Sequence, residues 1–508
     1  MPSDQLPLPS IPTTPASVAE PTPAAVPVVP AARTGAGSGA GPGSESRTGP
    51  GAGARSGADR PGVRTVPRTG RLRRLAGSAL ADITPLRSSA HFRRLWFGQS
   101  VSSVGQQMTA LAISVQVYAL TGSTFATGLV GLCSLVPLVA FGLYGGAIAD
   151  TMDRRKLGLF GASGLAVLST GLATQAFLGV HQVAVLYAVV ALQAVCFALN
   201  APARASMVPR LVPAEQLPAA NALSTVSMNL GLTVGPMLGG LLIGIWSYQA
   251  AYLIDALAFS ASLYAMWRLP SMRPEPSIQG KRLAGAGSGA DSGSGDGSGS
   301  DTGRSRASVL DGLRFLRDRP NLRMSFMADM AAMIFGMPRA LFPALAVVLY
   351  HGDAGTVGLL ASAPAVGALL GALFSGWVGR VHKHGLAVIC AVLAWGLSIA
   401  GFGLARQLWL GLLLLAVAGA ADTVSMIFRN TIMQEAAPDD MRGRLQGVFV
   451  IVVAGGPRLG DFESGTVAQL TTPTVSAVSG GLACVAALLL LLVRYPSFAR
   501  YDSRHPTP

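Results

Sequence analysis

The run GGPRLGDFESG at 455–465 places Arg458, Asp461 and Glu463 inside an otherwise apolar stretch. A guanidinium and two carboxylates so close in sequence can hold an ion pair, exchange a proton, or do both in turn. Arg458 and Asp461 are three residues apart, so on a helix they share a face and can pair, whereas Glu463 points elsewhere. If the stretch crosses a bilayer, the three charges lie about 20–27 Å into the helix at its 1.5 Å rise per residue. Charges at that depth are costly unless paired or hydrated, and they are functional candidates by default. Two readings stay open: one of the acids exchanges a proton, or the pair only ties its helix to a neighbour.

Further polar groups fall in other apolar runs. Asp329, Arg339 and Asp422 join Gln99, Ser103, Gln106 and Gln107, and Gln193 and Asn200, as a candidate polar cavity lining. Each alone also fits a helix–helix hydrogen bond. Asp255 reads as structural packing. The cysteines, Cys133, Cys196, Cys390 and Cys484, fall one per apolar segment with no CxxC pair, so neither a disulfide framework nor a metal site is implied. The chain has no G-x-x-x-x-G-K-S/T phosphate loop, which excludes a nucleotide-driven pump within it. Ser163, in the run GASG, has the surroundings of a possible nucleophile, but a serine needs a base within reach. All six histidines read as loop or tail residues, so an enzyme is not expected, nor is a cofactor.

These residues need membrane-spanning helices to hold them. Half of the 508 residues are hydrophobic and only 12% charged, with a mean hydropathy of +0.48; soluble domains carry about 25% charged residues. Apolar segments of bilayer-crossing length are expected near 96–120, 124–149, 157–179, 183–203, 219–245, 249–267, 324–350, 355–378, 386–404, 407–429, 446–470 and 475–493. The net charge of +14 could indicate nucleic acid, but the cations sit between apolar segments, as in a membrane protein, and no nucleic-acid partner is expected. Even-numbered spans are followed by Arg154, Arg155 and Lys156; by Arg204 and Arg210; by a basic stretch from Arg268; by Arg380 and Lys383; by Arg429, Arg442 and Arg444; and by Arg494 and Arg500. The opposite loops contribute Arg406 alone. By the positive-inside rule both termini are then cytoplasmic.

The chain divides accordingly. Residues 1–90 form a Pro/Ala/Gly/Arg-rich tail expected to be disordered. Residues 91–270 give six spans, 271–306 a flexible Gly/Ser linker, 307–495 an interfacial helix and six more spans, and 496–508 a cytoplasmic tail. In the interfacial helix Ser308 caps a face of Val309, Leu310, Leu313 and Leu316, and Pro320 ends it. The halves repeat at an offset of 225: Arg204 with Arg429, Pro213 with Pro438, and Gly231, Gly235 and Gly240 with Gly456, Gly460 and Gly465. Two parallel six-helix repeats describe one large transporter class.

Two motifs sharpen this. The loop GAIADTMDRRKL holds Gly146, Asp150, Arg154 and Arg155, and span five holds GLTVGPMLGG with Gly231, Gly235, Pro236, Gly239 and Gly240. The first resembles the cytoplasmic loop signature of the major facilitator superfamily, and the second its antiporter signature. Together with PRLGD, the pattern over roughly 90–495 resembles the superfamily's enterobactin-exporter-like branch. That resemblance implies an all-α membrane protein of twelve transmembrane helices in two pseudo-symmetric bundles. It implies a cytoplasmic gate at Gly146, Asp150, Arg154 and Arg155, and export of a siderophore, antibiotic or other amphiphilic metabolite against protons. Its expected setting is the plasma membrane, as a monomer with the bilayer, a small-molecule substrate and a proton gradient as partners. The sequence departs from the pattern in one place that matters. Gln106 stands where many relatives carry a span-one Asp, so that position cannot titrate and coupling shifts to Asp461 and Glu463. Span four also lacks the arginine of drug–proton antiporters at the expected position, where Gln193 is the nearest polar residue. Import on the same fold, and a non-transporting sensor, remain alternatives.

Overall fold

The computed structural model describes residues 82–272, 314–502 and 504, without the side chains of 143–151 and of 439, 440, 442–444, 446, 447, 450 and 451. The expected tail up to residue 81, most of the 271–306 linker and the Ser308–Leu313 turn lie outside the described residues. What is described is helical, and several helix starts have a local cause. Ser89 accepts the Phe92 amide and opens α1 (Ala90–Thr121). Gly122, at φ 62°, ends it in a left-handed turn, so α2 (Thr124–Thr151) follows almost at once. Asp153 caps α3 (Arg154–Phe177) and also accepts the Met272 amide at 3.2 Å. Then come α4 (Val183–Leu211), α5 (Leu217–Ile245) and α6 (Tyr248–Trp267).

The second half begins with α7 (Pro320–Phe335). This span breaks where one continuous helix over 324–350 was expected. Gly336 and Pro338 interrupt it, Arg339–Leu341 make a 3-10 turn, and Phe342–Val348 resumes the crossing. Proline removes a backbone donor and clashes with the preceding turn, which makes the break intelligible. Asp353 caps α8 (Ala354–Leu373). The remaining helices are α9 (His384–Leu404), α10 (Leu408–Ala436), α11 (Asp439–Leu470) and α12 (Pro473–Arg494), the last capped by Thr472.

Ten of these segments are long and apolar enough to cross a membrane. The other two, α1 and α11, are the 32-residue helices that carry Gln99, Ser103 and Gln106, and Arg458, Asp461 and Glu463. Twelve crossings in two halves result, and four residue placements expected from the sequence need correction. Arg204 lies inside α4 and Arg429 inside α10, because both helices run on past 203 and 429 to Leu211 and Ala436. Neither is a loop cation. Nor are His91 and His384 loop residues: His91 lies in the first turn of α1, and His384 opens α9, buried, with its ring 5.2 Å from that of Phe428.

Small residues let the helices close on one another, as lipid-embedded bundles require. Gly371 abuts Ala420 between α8 and α10, and Gly161 abuts Asn200 between α3 and α4. The halves meet along two seams. In one, α2 lies on α11: Thr124 donates to the Gly465 carbonyl at 3.0 Å, Ser123 to Gln469 at 2.7 Å, and Phe125 meets Phe462 edge to face. In the other, Gly240 of α5 backs onto Ala354 and Gly358 of α8.

Candidate functional site

The charged residues of the second half form a row. Arg429 of α10 ion-pairs with Asp329 of α7, and its other nitrogen lies 3.6 Å from Asp422 on its own helix. Asp329 and Arg429 are 3% and 5% exposed at the side chain, Asp422 37%. A fully buried pair thus ends in a carboxylate that still meets open space. Arg339, at the break in α7, is a second cation acting on Asp422, beside Arg429. Arg339 also acts on Asp461 of α11, together with Arg458. In the order Asp329, Arg429, Asp422, Arg339, Asp461, Arg458 the charges alternate in sign across α7, α10 and α11, with Arg339 also acting on the like-charged Arg458. Alternation makes the burial tolerable, because each charge deep in a low-dielectric medium needs an opposite neighbour.

The row ends on the other half of the molecule. Arg458 Nε donates to Ser134 Oγ of α2 at 3.0 Å, and its Nη1 donates to the Ala454 carbonyl. A Cβ on Gly131 would lie 2.7 Å from the Arg458 carbonyl, and one on Gly128 2.5 Å from that of Asp461. The glycines of α2 thus seat the charged turn of α11 against the opposing half. Asp461 Oδ1 is buried without a hydrogen-bond partner. Glu463 is half-buried and makes no hydrogen bond or ion pair among the described residues.

Among the described residues the first half has no such row. Arg204, the repeat partner of Arg429, faces Ser102 of α1 at 3.5 Å, with no ion pair among the described residues. Where Arg429 meets Asp329, its counterpart meets a hydroxyl. Asp255 lies elsewhere, buried among α1, α3 and α6, and accepts hydrogen bonds from Thr109 and Ser169 at 2.7 Å each. Gln99, Gln106 and Gln193 are half-buried. Ser103 is the neighbour of Gly231 on α5, and Asn200 is buried against Gly161, so these two meet helix backbones.

The span-five motif packs α5 onto α1. A Cβ at Gly235 would stand 2.6 Å from Gln107 Cβ, and one at Gly239 3.1 Å from Met108 Cα, with Pro236 inside the helix. In the loop motif, Arg154 donates to the Ser206 carbonyl at 3.1 Å and Arg155 to the Trp267 carbonyl at 2.6 Å. Both cations thus sit on carbonyls late in α4 and α6, where positive charge is favourable. Gly146 and Asp150 belong to the last turns of α2, and their side-chain surroundings lie outside the described residues.

Sequence reasoning found Asp329, Arg339, Asp422, Arg458 and Asp461 but missed Arg429, which joins two of them, and Ser134. The offset that pairs Arg204 with Arg429 was the available signal: both fall where an apolar run continues beyond the charge.

The comparisons with known proteins agree with this architecture. The family model described as transmembrane secretion effector matches residues 80–290 and 303–507. The enterobactin exporter EntS of Citrobacter koseri is 27% identical over 433 residues, covering 85% of this chain and 98% of that protein. EntS of Shigella boydii is 27% identical over 431 residues, covering 84% and 97%. Among solved structures, the nucleoside transporter NupG aligns with a TM-score of 0.61 at 13% identity, over 81% of this chain and all of that one. A bacterial homologue of the lysosomal transporter Spinster aligns with a TM-score of 0.60 at 14% identity, over 82% and 96%; likeness at that level shows the fold. The family and these relatives are transporters, not enzymes, and the chain belongs to the transmembrane secretion effector family of the major facilitator superfamily, a multi-pass membrane transporter.

Proposed function

We propose that this protein is a secondary active exporter of a small amphiphilic molecule, working by alternating access in exchange for protons. The observation that carries the proposal is the alternating row of charges, which starts in the interior of the second half and ends on Ser134 of the first. A carboxylate that gains or loses a proton in such a row changes the balance felt by Arg458. Arg458 is the charged member of the row that crosses between the halves, so protonation of Asp461 can be coupled to rocking about the α2–α11 and α5–α8 seams. Asp422, with 37% of its side chain accessible, supplies a route for water to the row. Glu463, with no partner, is the second candidate acid. Gln99, Gln106 and Gln193 give the cavity hydrogen-bonding groups without fixed charge, which suits an amphiphile.

The likeness to enterobactin exporters directs the substrate class to siderophores and related metabolites. The arginines after even-numbered spans favour both termini in the cytoplasm of a plasma-membrane protein. Asp150 with Arg154 and Arg155 then forms the gate on that side, and the protein acts as a monomer.

The test is untargeted mass spectrometry of spent medium from host cells with and without the gene. Export predicts a compound that disappears from the medium and accumulates in the deleted cells. A compound depleted from the medium only when the gene is present would mean import.

A further inference from the structure

A groove of about 850 Å³ lies away from the row of charges, on the surface of α9 and α10. That volume is within the roughly 300–1,000 Å³ range of small-molecule sites. Its walls are Leu386, Ala387, Cys390, Ala391 and Ala394 of α9 and Val417, Ala420, Ala421 and Val424 of α10, with Trp377 at one end. Leu386, Val417 and Trp377 are exposed. Alanine at five of these positions leaves the room. Along α9 the apolar lining runs eight residue steps from Leu386 to Ala394, about 12 Å at the helical rise, most of the roughly 15 Å hydrocarbon depth of one leaflet.

One end of the groove is polar. Lys383, His382, Arg504 and Asp502 stand there. The tail after α12 brings the last two into place: Phe498 and Tyr501 are buried, and the Phe498 carbonyl packs on Gly385 at the start of α9. Arg504 Nη2 lies 3.0 Å from His382 Nε2. A guanidinium offers only donors, so Nε2 accepts and the imidazole proton sits on Nδ1. Asp502 is engaged within the tail, accepting the Arg504 amide at 3.0 Å. The rim therefore presents one ammonium, one guanidinium and one imidazole N–H beside the single carboxylate of Asp502, a net positive end above the apolar slot.

We propose that this groove holds one anionic phospholipid, its phosphate at Lys383, Arg504 and His382 and an acyl chain along the alanines of α9 and α10. Charge complementarity selects the occupant. Basic pockets between transmembrane helices bind anionic head groups, and the apolar slot runs in the direction of lipid chains. The proposal is independent of what the protein transports.

The experiment is native mass spectrometry of the full chain exchanged into phosphatidylglycerol or phosphatidylcholine, with the Lys383→Gln/Arg504→Gln variant beside it. Each cation near an anionic head group is worth a factor of about five, so the double variant should bind phosphatidylglycerol about 25-fold more weakly. Phosphatidylcholine retention should be low and unchanged. Alkylation of Cys390, the exposed free cysteine in the groove, gives a second readout. In phosphatidylglycerol nanodiscs it should be slower than in phosphatidylcholine for the wild type, and equal in both for the variant. Equal retention of the two lipids by the wild type would overturn the proposal, as would a variant that keeps its preference. Protection of Cys390 by the transported compound instead of by lipid would also overturn it.

Discussion

Arg429 is the residue on which the buried charge row turns, and replacing it with glutamine tests that directly. The substitution leaves Asp329, 3% exposed, without its cation and takes from Asp422 the cation 3.6 Å away. At 3.6 Å and an effective dielectric constant near 20, the gross attraction between Arg429 and Asp422 alone is about 4–5 kcal/mol. Most of that offsets the desolvation of the charges, so the measurable cost comes from the unpaired acid, about 3–5 kcal/mol when one member of a buried pair is removed. Asp329→Asn should cost less, about 1.5–3 kcal/mol for the lost hydrogen bond to a charged group, because Arg429 keeps Asp422 as a partner. The double variant Asp329→Asn/Arg429→Gln removes the buried pair together and leaves only the half-hydrated Asp422. It should therefore be more stable than Arg429→Gln alone. Thermal unfolding of detergent-purified protein at one fixed scan rate ranks the three variants. The expected midpoints fall in the order wild type, Asp329→Asn, double variant, Arg429→Gln. An Arg429→Gln midpoint equal to the wild type, or a double variant that loses the sum of the single losses, would refute the reasoning.

Two further substitutions separate packing from chemistry. Gly235→Leu should prevent α5 from seating on α1, because even a Cβ there meets Gln107 Cβ at 2.6 Å and the Val104 carbonyl at 2.8 Å; a monodisperse, active Gly235→Leu protein would contradict this. Asp255→Asn should preserve folding and transport, since an amide oxygen can still accept from Thr109 and Ser169. Asp255→Leu should cost about 1–3 kcal/mol for each hydroxyl left unsatisfied, read as a lower unfolding midpoint. If Asp255→Asn is stable but inactive, the titrating acid lies in the first half and Asp461 has been misassigned.

The bundle was legible in the sequence because its signals are long-range averages: apolar runs of bilayer length and cations gathered on alternate loops. Helix ends were less legible. Arg204 and Arg429 resemble the positive residues that finish a span, yet α4 and α10 continue for seven residues more. A charge inside a helix differs from one at its end only by its partner, and the partner of Arg429 is Asp329, a hundred residues away. The break in α7 was written in Gly336 and Pro338, but a hydropathy window smooths over both. Asp461 and Arg458 were found because charge in an apolar run is conspicuous. Their contact with α2 was not, since Ser134, Gly128 and Gly131 look like ordinary small residues of any membrane helix.

The most direct measurement of the central claim is proton-driven accumulation of a substrate in inverted membrane vesicles, with enterobactin as first probe and the compound named by the medium comparison as second. Vesicles carrying the wild-type protein should accumulate the substrate when the interior is acidified and release it when the gradient is collapsed. Asp461→Asn, present in the membrane at equal amount, should accumulate none. Wild-type accumulation that ignores the proton gradient, or an Asp461→Asn protein that transports at the wild-type rate, would contradict the account.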